Sequence, residues 1–263
     1  MSYMAKVMRE SSLSEDQKPY KLIILFLAFV WFIAFIQFIR LGKYVPARIV
    51  AVVNQKGGSS KTTLSIQLAG TLARRGIKSL IVDADPQGTA TRWASSAPDA
   101  TPFPAAVLGL SAAGDKVHRE IAKFKDDYEM IIVDCPPSVD SPIPKSALLI
   151  ADLALIPLIP SPLDLWSSVG IKKLIEEIRS INEGLQARLV ITQLEPRTML
   201  SRDVLDILQD FGLPRLHTAL CHRTAYRQAA VVGGTVHNLR NKATQAIQEV
   251  EALTDEVLQI IRT

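Results

Sequence analysis

The sequence predicts an α/β fold, a mostly parallel, twisted sheet flanked by helices on both faces. Three observations predict it. From residue 49 onward, short apolar runs alternate with segments of helical period. The runs, such as Ile49-Val50-Ala51-Val52-Val53 and Met130-Ile131-Ile132-Val133, are almost continuously apolar, as in strands covered on both faces. Three runs end in a glycine-bearing turn or an acid, at the strand ends where open α/β sheets seat ligands.

In chain order, a strand at 49–54 leads to a helix at 61–75, set by Leu64, Ile66, Leu68, Ala69 and Leu72. A strand at 78–83 ends in Asp83, and Pro98, Pro102 and Pro104 mark an irregular stretch after it. A strand at 129–134, a helix at 142–150 and a strand at 152–157 follow. Leu165, Trp166, Val169, Ile171, Leu174, Ile175 and Ile178 then predict one helix over 163–182, with Asp164 suited to its N-cap. Strands at 187–192 and 214–218 and helices at 200–211, 223–232 and 241–261 complete a domain spanning 48–263. The last helix carries Glu249, Glu251, Asp255 and Glu256, so it is expected to pack on the domain and not to lie on a membrane.

The amino-terminal part is different. Residues 1–21 are polar and mixed in charge, whereas Leu22 to Ile39 run 18 residues with Gln37 as the one polar group. As a helix this run is about 27 Å long, close to a bilayer core of about 30 Å. Segment 22–41 is therefore a candidate single transmembrane helix. Arg40, Lys43 and Arg48 on its far side place the following domain in the cytoplasm, anchored to the inner membrane. The competing reading is an upstream extension ahead of a domain that starts near Val45. Net charge is +4, of which residues 1–45 hold +3, so the whole-chain balance says little about nucleic acid. Cys135 and Cys221 lie far apart, which fits a reducing compartment and excludes a disulfide framework. His118, His217, His222 and His237 show no metal-ligand spacing.

The chemistry centres on Asn54-Gln55-Lys56-Gly57-Gly58-Ser59-Ser60-Lys61-Thr62-Thr63, between the first strand and the first helix. Strand, glycine-bearing turn, Lys-Thr and helix is the context of a phosphate-binding loop. Its backbone N–H groups turn inward on phosphate oxygens, and the helix N-terminus adds about half a positive charge. Lys61 would reach the β- and γ-phosphates, and the Thr62 hydroxyl would sit on Mg²⁺. Two further strand ends supply carboxylates: Asp83 and Asp85 in Val82-Asp83-Ala84-Asp85-Pro86-Gln87, and Asp134 in Val133-Asp134-Cys135-Pro136-Pro137. Acids at such positions hold metal-bound water and orient an attacking water.

Lys56-Gly57-Gly58-x-x-Lys61-Thr62-Thr63 resembles the deviant Walker A box of the ParA/MinD family of P-loop ATPases, with Ser60 where that family usually has glycine. The two acidic strand ends resemble its Walker A′ and Walker B boxes, with Cys135 in place of the usual threonine. The resemblance runs from about Arg48 to Thr263. It implies ATP and Mg²⁺ as cofactors, seated on Gly57, Gly58, Ser59, Ser60, Lys61, Thr62 and Thr63. It implies Thr62, Asp83 and Asp134 at the metal, partly through water, and Asp85 positioning the hydrolytic water. It also implies that Lys56 crosses to the nucleotide of a second copy in an ATP-dependent homodimer. Pro160-Ser161-Pro162-Leu163-Asp164 resembles a turn near that dimer interface. Arg223-Thr224-Ala225-Tyr226 and Gly233-Gly234-Thr235-Val236 resemble further family stretches, with a structural role.

Residues 196–242 hold seven basic groups against three acidic ones. Arg197, Arg202, Arg223, Arg227, Arg240 and Lys242 are candidates for salt-sensitive, backbone-only DNA contact. The expected function is an ATPase that binds DNA non-specifically at the nucleoid and partitions a plasmid or chromosome with a ParB-like or centromere-binding partner. The alternatives are a ParA-like positioner of another cargo, such as a conjugation or polar complex, and a P-loop synthetase of the cobyrinate or dethiobiotin type. A membrane tyrosine autokinase would need a C-terminal tyrosine cluster, which Tyr3, Tyr20, Tyr44, Tyr128 and Tyr226 do not form.

Overall fold

The computed structural model of the chain describes residues 29–32, 46–138, 140–195 and 208–262. The chain divides into two units, Met1–Val45 and Pro46–Thr263. In the first, Phe29–Phe32 form an exposed helical turn; the rest of the segment 22–41, and all of 1–21, lie outside the described residues. Among the described residues no helix is long and apolar enough to cross a membrane.

The second unit is a six-stranded, wholly parallel sheet. Its strands are β1 (Arg48–Val52), β2 (Ser79–Asp83), β3 (Ala106–Gly109), β4 (Met130–Asp134), β5 (Leu153–Leu158) and β6 (Gln186–Ile191), in the order β3-β2-β4-β1-β5-β6. The continuous apolar runs reflect burial on both faces. Ile49 and Ala51 enter one core layer with Ile171, Ile175 and Ile178, whereas Val50 and Val52 enter the other with Leu64, Leu68 and Leu72. Helices α1 (Lys61–Arg74), α2 (Thr89–Ser95), α3 (Val117–Ala122), α4 (Pro142–Leu148), α5 (Pro162–Ser167), α6 (Val169–Arg179), α7 (Thr224–Val231) and α8 (Thr244–Arg262) surround the sheet.

Several expectations are corrected. The stretch marked by Pro98, Pro102 and Pro104 is irregular over 96–105, but α2 precedes it and β3 and α3 follow it, three elements that the sequence reading lacks. β3 is a four-residue edge strand and is only partly covered, and its Ala-Val-Leu-Gly run is too short and too poor in β-branched residues to mark a strand. The helix expected over 163–182 is two helices broken at Ser168. There the hydroxyls of Ser167 and Ser168 both bond Asp164 O, at 2.8 and 2.9 Å, beside the ladder bond from Ser168 N at 3.1 Å, so three donors crowd one carbonyl. Asp164 is not the N-cap of α5; Ser161 is, its hydroxyl accepting from Asp164 N at 3.1 Å.

Residues 214–218 form no strand beyond one bridge from Arg215 to Leu189. Pro214 has no N–H, and the amides of His217 and Thr218 go instead to the Glu256 carboxylate on α8, at 2.7 and 2.6 Å. Of the helix expected over 200–211, Leu208–Phe211 form a 3₁₀ turn, and the remainder lies outside the described residues.

The Gly233-Gly234-Thr235-Val236 stretch docks the carboxy-terminal third onto α1 and α2. Gly233 has φ +62, and a Cβ there would stand 2.1 Å from Ala97 N. Trp93 Nε1 donates to Gly234 O at 2.9 Å, and Val236 N donates to Gln67 Oε1 at 2.9 Å.

Candidate functional site

Sheet register assembles the site. Asp134, which ends β4, is paired with Asp83, which ends β2, and with Val52, which ends β1. Three strands therefore stop level, bringing two carboxylates and the loop after β1 to one edge. Buried Asn54 fixes how the chain leaves β1. Its Nδ2 donates to Pro157 O at 2.7 Å, and its Oδ1 accepts from Lys56 N at 3.3 Å.

The loop re-enters as α1 through Ser60, which has φ 70 and ψ 22 and makes no side-chain bond to the helix. Left-handed backbone costs a non-glycine residue about 1–2 kcal/mol, so Ser60 keeps the conformation that a glycine would take freely. The first N–H groups of α1 have no intrahelical partner, which leaves them available to an anion. A Cβ built on Gly57 or Gly58 would meet nothing within 4 Å, so the space over the loop is open. That space is a cavity of about 340 Å³ whose walls include Gly57, Gly58, Lys61, Thr62, Thr63 and Asp85. A second cavity, of about 190 Å³, shares Ser60, Thr63 and Gln193 with it and is otherwise lined by residues such as Thr192, Leu220, Cys221 and Tyr226.

The two loop lysines diverge. Lys61 is buried, with Nζ donating to Lys56 O at 2.9 Å. Burial lowers its pKa, against the opposing pull of Asp134 and Asp85. Lys56 Nζ instead pairs with Asp164 Oδ2 at 2.6 Å; the Asp164 side chain is only 4% exposed.

The carboxylates are poised for a cation. Thr62 Oγ1 donates to Asp134 Oδ2 at 2.7 Å. Ser65 Oγ lies 3.0 Å from Lys61 O and 3.2 Å from Asp134 Oδ1, one hydroxyl proton between two acceptors. Asp134 is nevertheless pushed up to about 7, first by burial; the neighbouring Asp83 charge adds to this, while the Thr62 and Ser65 bonds and Lys61 oppose it. Asp83 Oδ2 accepts from Thr91 N and Thr91 Oγ1, both at 2.8 Å, while Asp83 Oδ1 is buried without a hydrogen-bond partner. An orphaned carboxylate oxygen beside a second buried carboxylate fits a hard, oxygen-liganded cation. Among the described residues no group of three or more His, Cys, Asp or Glu could hold a metal. A hard cation held by two carboxylates accepts water and phosphate oxygens at its remaining positions, as Mg²⁺ does. Asp85 stands half-buried at the cavity wall, its Oδ1 accepting from Gln87 N at 2.9 Å. Cys135 is buried and its thiol pushed well up by burial, a packing residue and not a nucleophile.

The structure thus gathers Gly57, Gly58, Ser60, Lys61, Thr62, Thr63 and Asp85 at one cavity, with Asp83 and Asp134 behind it and Ser59 buried in the same loop. The basic candidates are scattered. Arg223 and Lys242 line a shared groove, but Arg223 is ion-paired with Glu249 at 2.6 Å. Arg227 borders the 190 Å³ cavity, and Arg240 is exposed. Arg197 and Arg202 lie outside the described residues. Sequence reasoning included Asn54 in the central run without a role, and missed Ser65, Thr91 and Gln193. Only Ser65 carried a signal, lying three residues after Thr62 on the same helix face.

Residues 50–236 match the family model described as the CobQ/CobB/MinD/ParA nucleotide binding domain. "Maintenance of carboxysome distribution protein A" of Halothiobacillus neapolitanus is 36% identical over 209 residues, 80% of this chain and 95% of that protein. Protein ParA of Rhizobium radiobacter is 29% identical over 213 residues, 78% of this chain and 93% of its own length. Among solved structures, an ATP complex of Cyanothece McdA superposes with a TM-score of 0.70 at 16% identity, covering 82% of this chain and 98% of that one, a likeness of fold.

Proposed function

Because this chain belongs to the CobQ/CobB/MinD/ParA family of nucleotide-binding domains, we propose that it is an ATP-dependent dimerising ATPase that grips DNA non-specifically and positions a cargo on the nucleoid. The observation that carries this reading is the divergence of the two loop lysines. Lys61 turns into the cradle of its own loop, whereas Lys56 is held outside it at Asp164. One amine serves the subunit's own phosphates; the other, paired with Asp164 in the single subunit, would leave that carboxylate to serve a second copy's. Bound with the nucleotide, Mg²⁺ would supply positive charge against the negative charge of the phosphates. Thr62, whose hydroxyl now donates to Asp134, would present it to the cation, and Asp134 and Asp83 would hold the cation's water. The loop N–H groups and Lys61 orient the terminal phosphate, and Asp85 positions the attacking water. Little covalent chemistry is asked of the protein beyond placing charge and one water. Loss of the terminal phosphate then ends the dimer and its grip on DNA, a timed switch.

The cargo reading follows similarity. The 36% identical relative is named for carboxysome distribution, which favours a protein-bound cellular body as cargo. The 29% identical relative named ParA supports the second reading, partition of a plasmid or chromosome with a ParB-like or centromere-binding partner. The protein would work in the cytoplasm at the nucleoid surface.

The test uses the full chain with ATP, Mg²⁺ and DNA. Lys61→Ala should lose ATP binding; Lys56→Ala should bind ATP yet stay monomeric in ultracentrifugation; Asp85→Ala should dimerise and hold DNA but release no phosphate. A Lys56→Ala protein that still dimerises with ATP would remove the crossing role. Turnover that depends on a small carboxylic acid and ignores DNA would replace this reading with a synthetase.

A further inference from the structure

Three consecutive residues of the phosphate loop are held from one place. Gly58 O accepts from Gln193 Nε2 at 3.0 Å, Ser59 O accepts from Thr192 Oγ1 at 3.3 Å, and Ser60 Oγ accepts from Gln193 Nε2 at 3.0 Å. Thr192 and Gln193 follow β6, more than 130 positions further along the chain. Gln193 and Ser60 both stand in left-handed backbone, with φ of 52 and 70. Two strained non-glycine residues meeting by a side-chain bond persist only where the surroundings over-determine them, and such strain gathers at functional sites.

The peptide group is planar and trans, so holding a carbonyl fixes where the next N–H points. Anchoring Gly58 O sets the Ser59 N–H, and anchoring Ser59 O sets the Ser60 N–H. These are amides of the run that a phosphate would use. We propose that Gln193, through the Ser60 hydroxyl and Gly58 O, is a positioning residue that pre-forms the phosphate cradle. The serine that stands where glycine is usual is then one half of a latch, and Gln193 is the other. The latch acts on the polyphosphate part of a ligand and not on its base. This rests on the nucleotide reading above.

The experiment compares the full-length wild type with Gln193→Ala, Ser60→Ala and the double variant, using ATP and inorganic tripolyphosphate as probes. Gln193→Ala should weaken both ligands alike, by about ten-fold, through the loss of two hydrogen bonds. Ser60→Ala should cost less, and the double variant should bind like Gln193→Ala alone, because the hydroxyl has already lost its partner. ATPase measurements should show a raised KM with kcat little changed. Amide exchange at residues 57–61 of the nucleotide-free protein should quicken in Gln193→Ala. Gln193 is half-exposed, so the variant keeps its fold. Unchanged exchange overturns the proposal, as does additive loss in the double variant. Weakening confined to ATP, with tripolyphosphate unaffected, also overturns it and makes Gln193 a contact to the base. Failure of the wild type to bind ATP would strike the nucleotide reading, while loop exchange would still judge the latch.

Discussion

Asp134 is held near neutrality by its surroundings, with its carboxyl pushed up to about 7, chiefly by burial. An unfolded aspartate titrates near 4, so the folded chain binds this proton more tightly. The stability it contributes is fully present below about pH 4 and is lost as pH rises through about 7. A cation at Asp83 and Asp134 reverses the preference by favouring the ionised form. The rise in melting temperature given by Mg²⁺ and nucleotide should therefore be larger at pH 8 than at pH 6, and Asp134→Asn should abolish that difference. An equal rise at both pH values in the wild type would remove Asp134 from the metal. The residues legible in the sequence, Lys61, Thr62, Asp83, Asp85 and Asp134, sit at strand or helix ends with fixed spacing. Thr91 and Gln193 were not legible, because their roles exist only once separate segments meet at Asp83 and at the loop.

Among the elements, the strands with continuous apolar runs were readable, and the failures came where backbone bonds left the regular ladder. Residues 214–218 look like a strand by composition, yet Glu256 takes two of their amides. Glu256→Ala should cost about 1–3 kcal/mol, read as a lower urea midpoint with an unchanged slope. The Thr218 hydroxyl also donates to Glu256, so Glu256→Gln should recover part of the loss. The short helix α5 also bears on the proposed dimer. Leu163 and Trp166 are 67% and 68% exposed on it, and it carries Asp164, the partner of Lys56. Trp166→Ala should leave the melting temperature of the monomer unchanged and weaken ATP-driven dimerisation, measured by ultracentrifugation. A dimer of full strength in that variant would take this face out of the interface.

At the scale of the molecule, the carboxy-terminal third leans on α1, the helix that begins at the nucleotide loop. It also closes on the end of α2 at Gly233, where backbone atoms of Ser96 and Ala97 lie within 2.5 Å of any added Cβ. Gly233→Ala combines a left-handed φ with that clash and should cost about 3 kcal/mol or more. In a domain of this size that lowers the melting temperature by roughly 6–12 °C, which calorimetry would register. The strand order carries one more consequence. β1 is made first but lies between β4 and β5, so neither of its edges finds a neighbour until the ribosome has passed residue 130. The nascent chain must shield Ile49 to Val53 throughout that interval, so the central strand is also the longest to remain vulnerable to mispairing during synthesis.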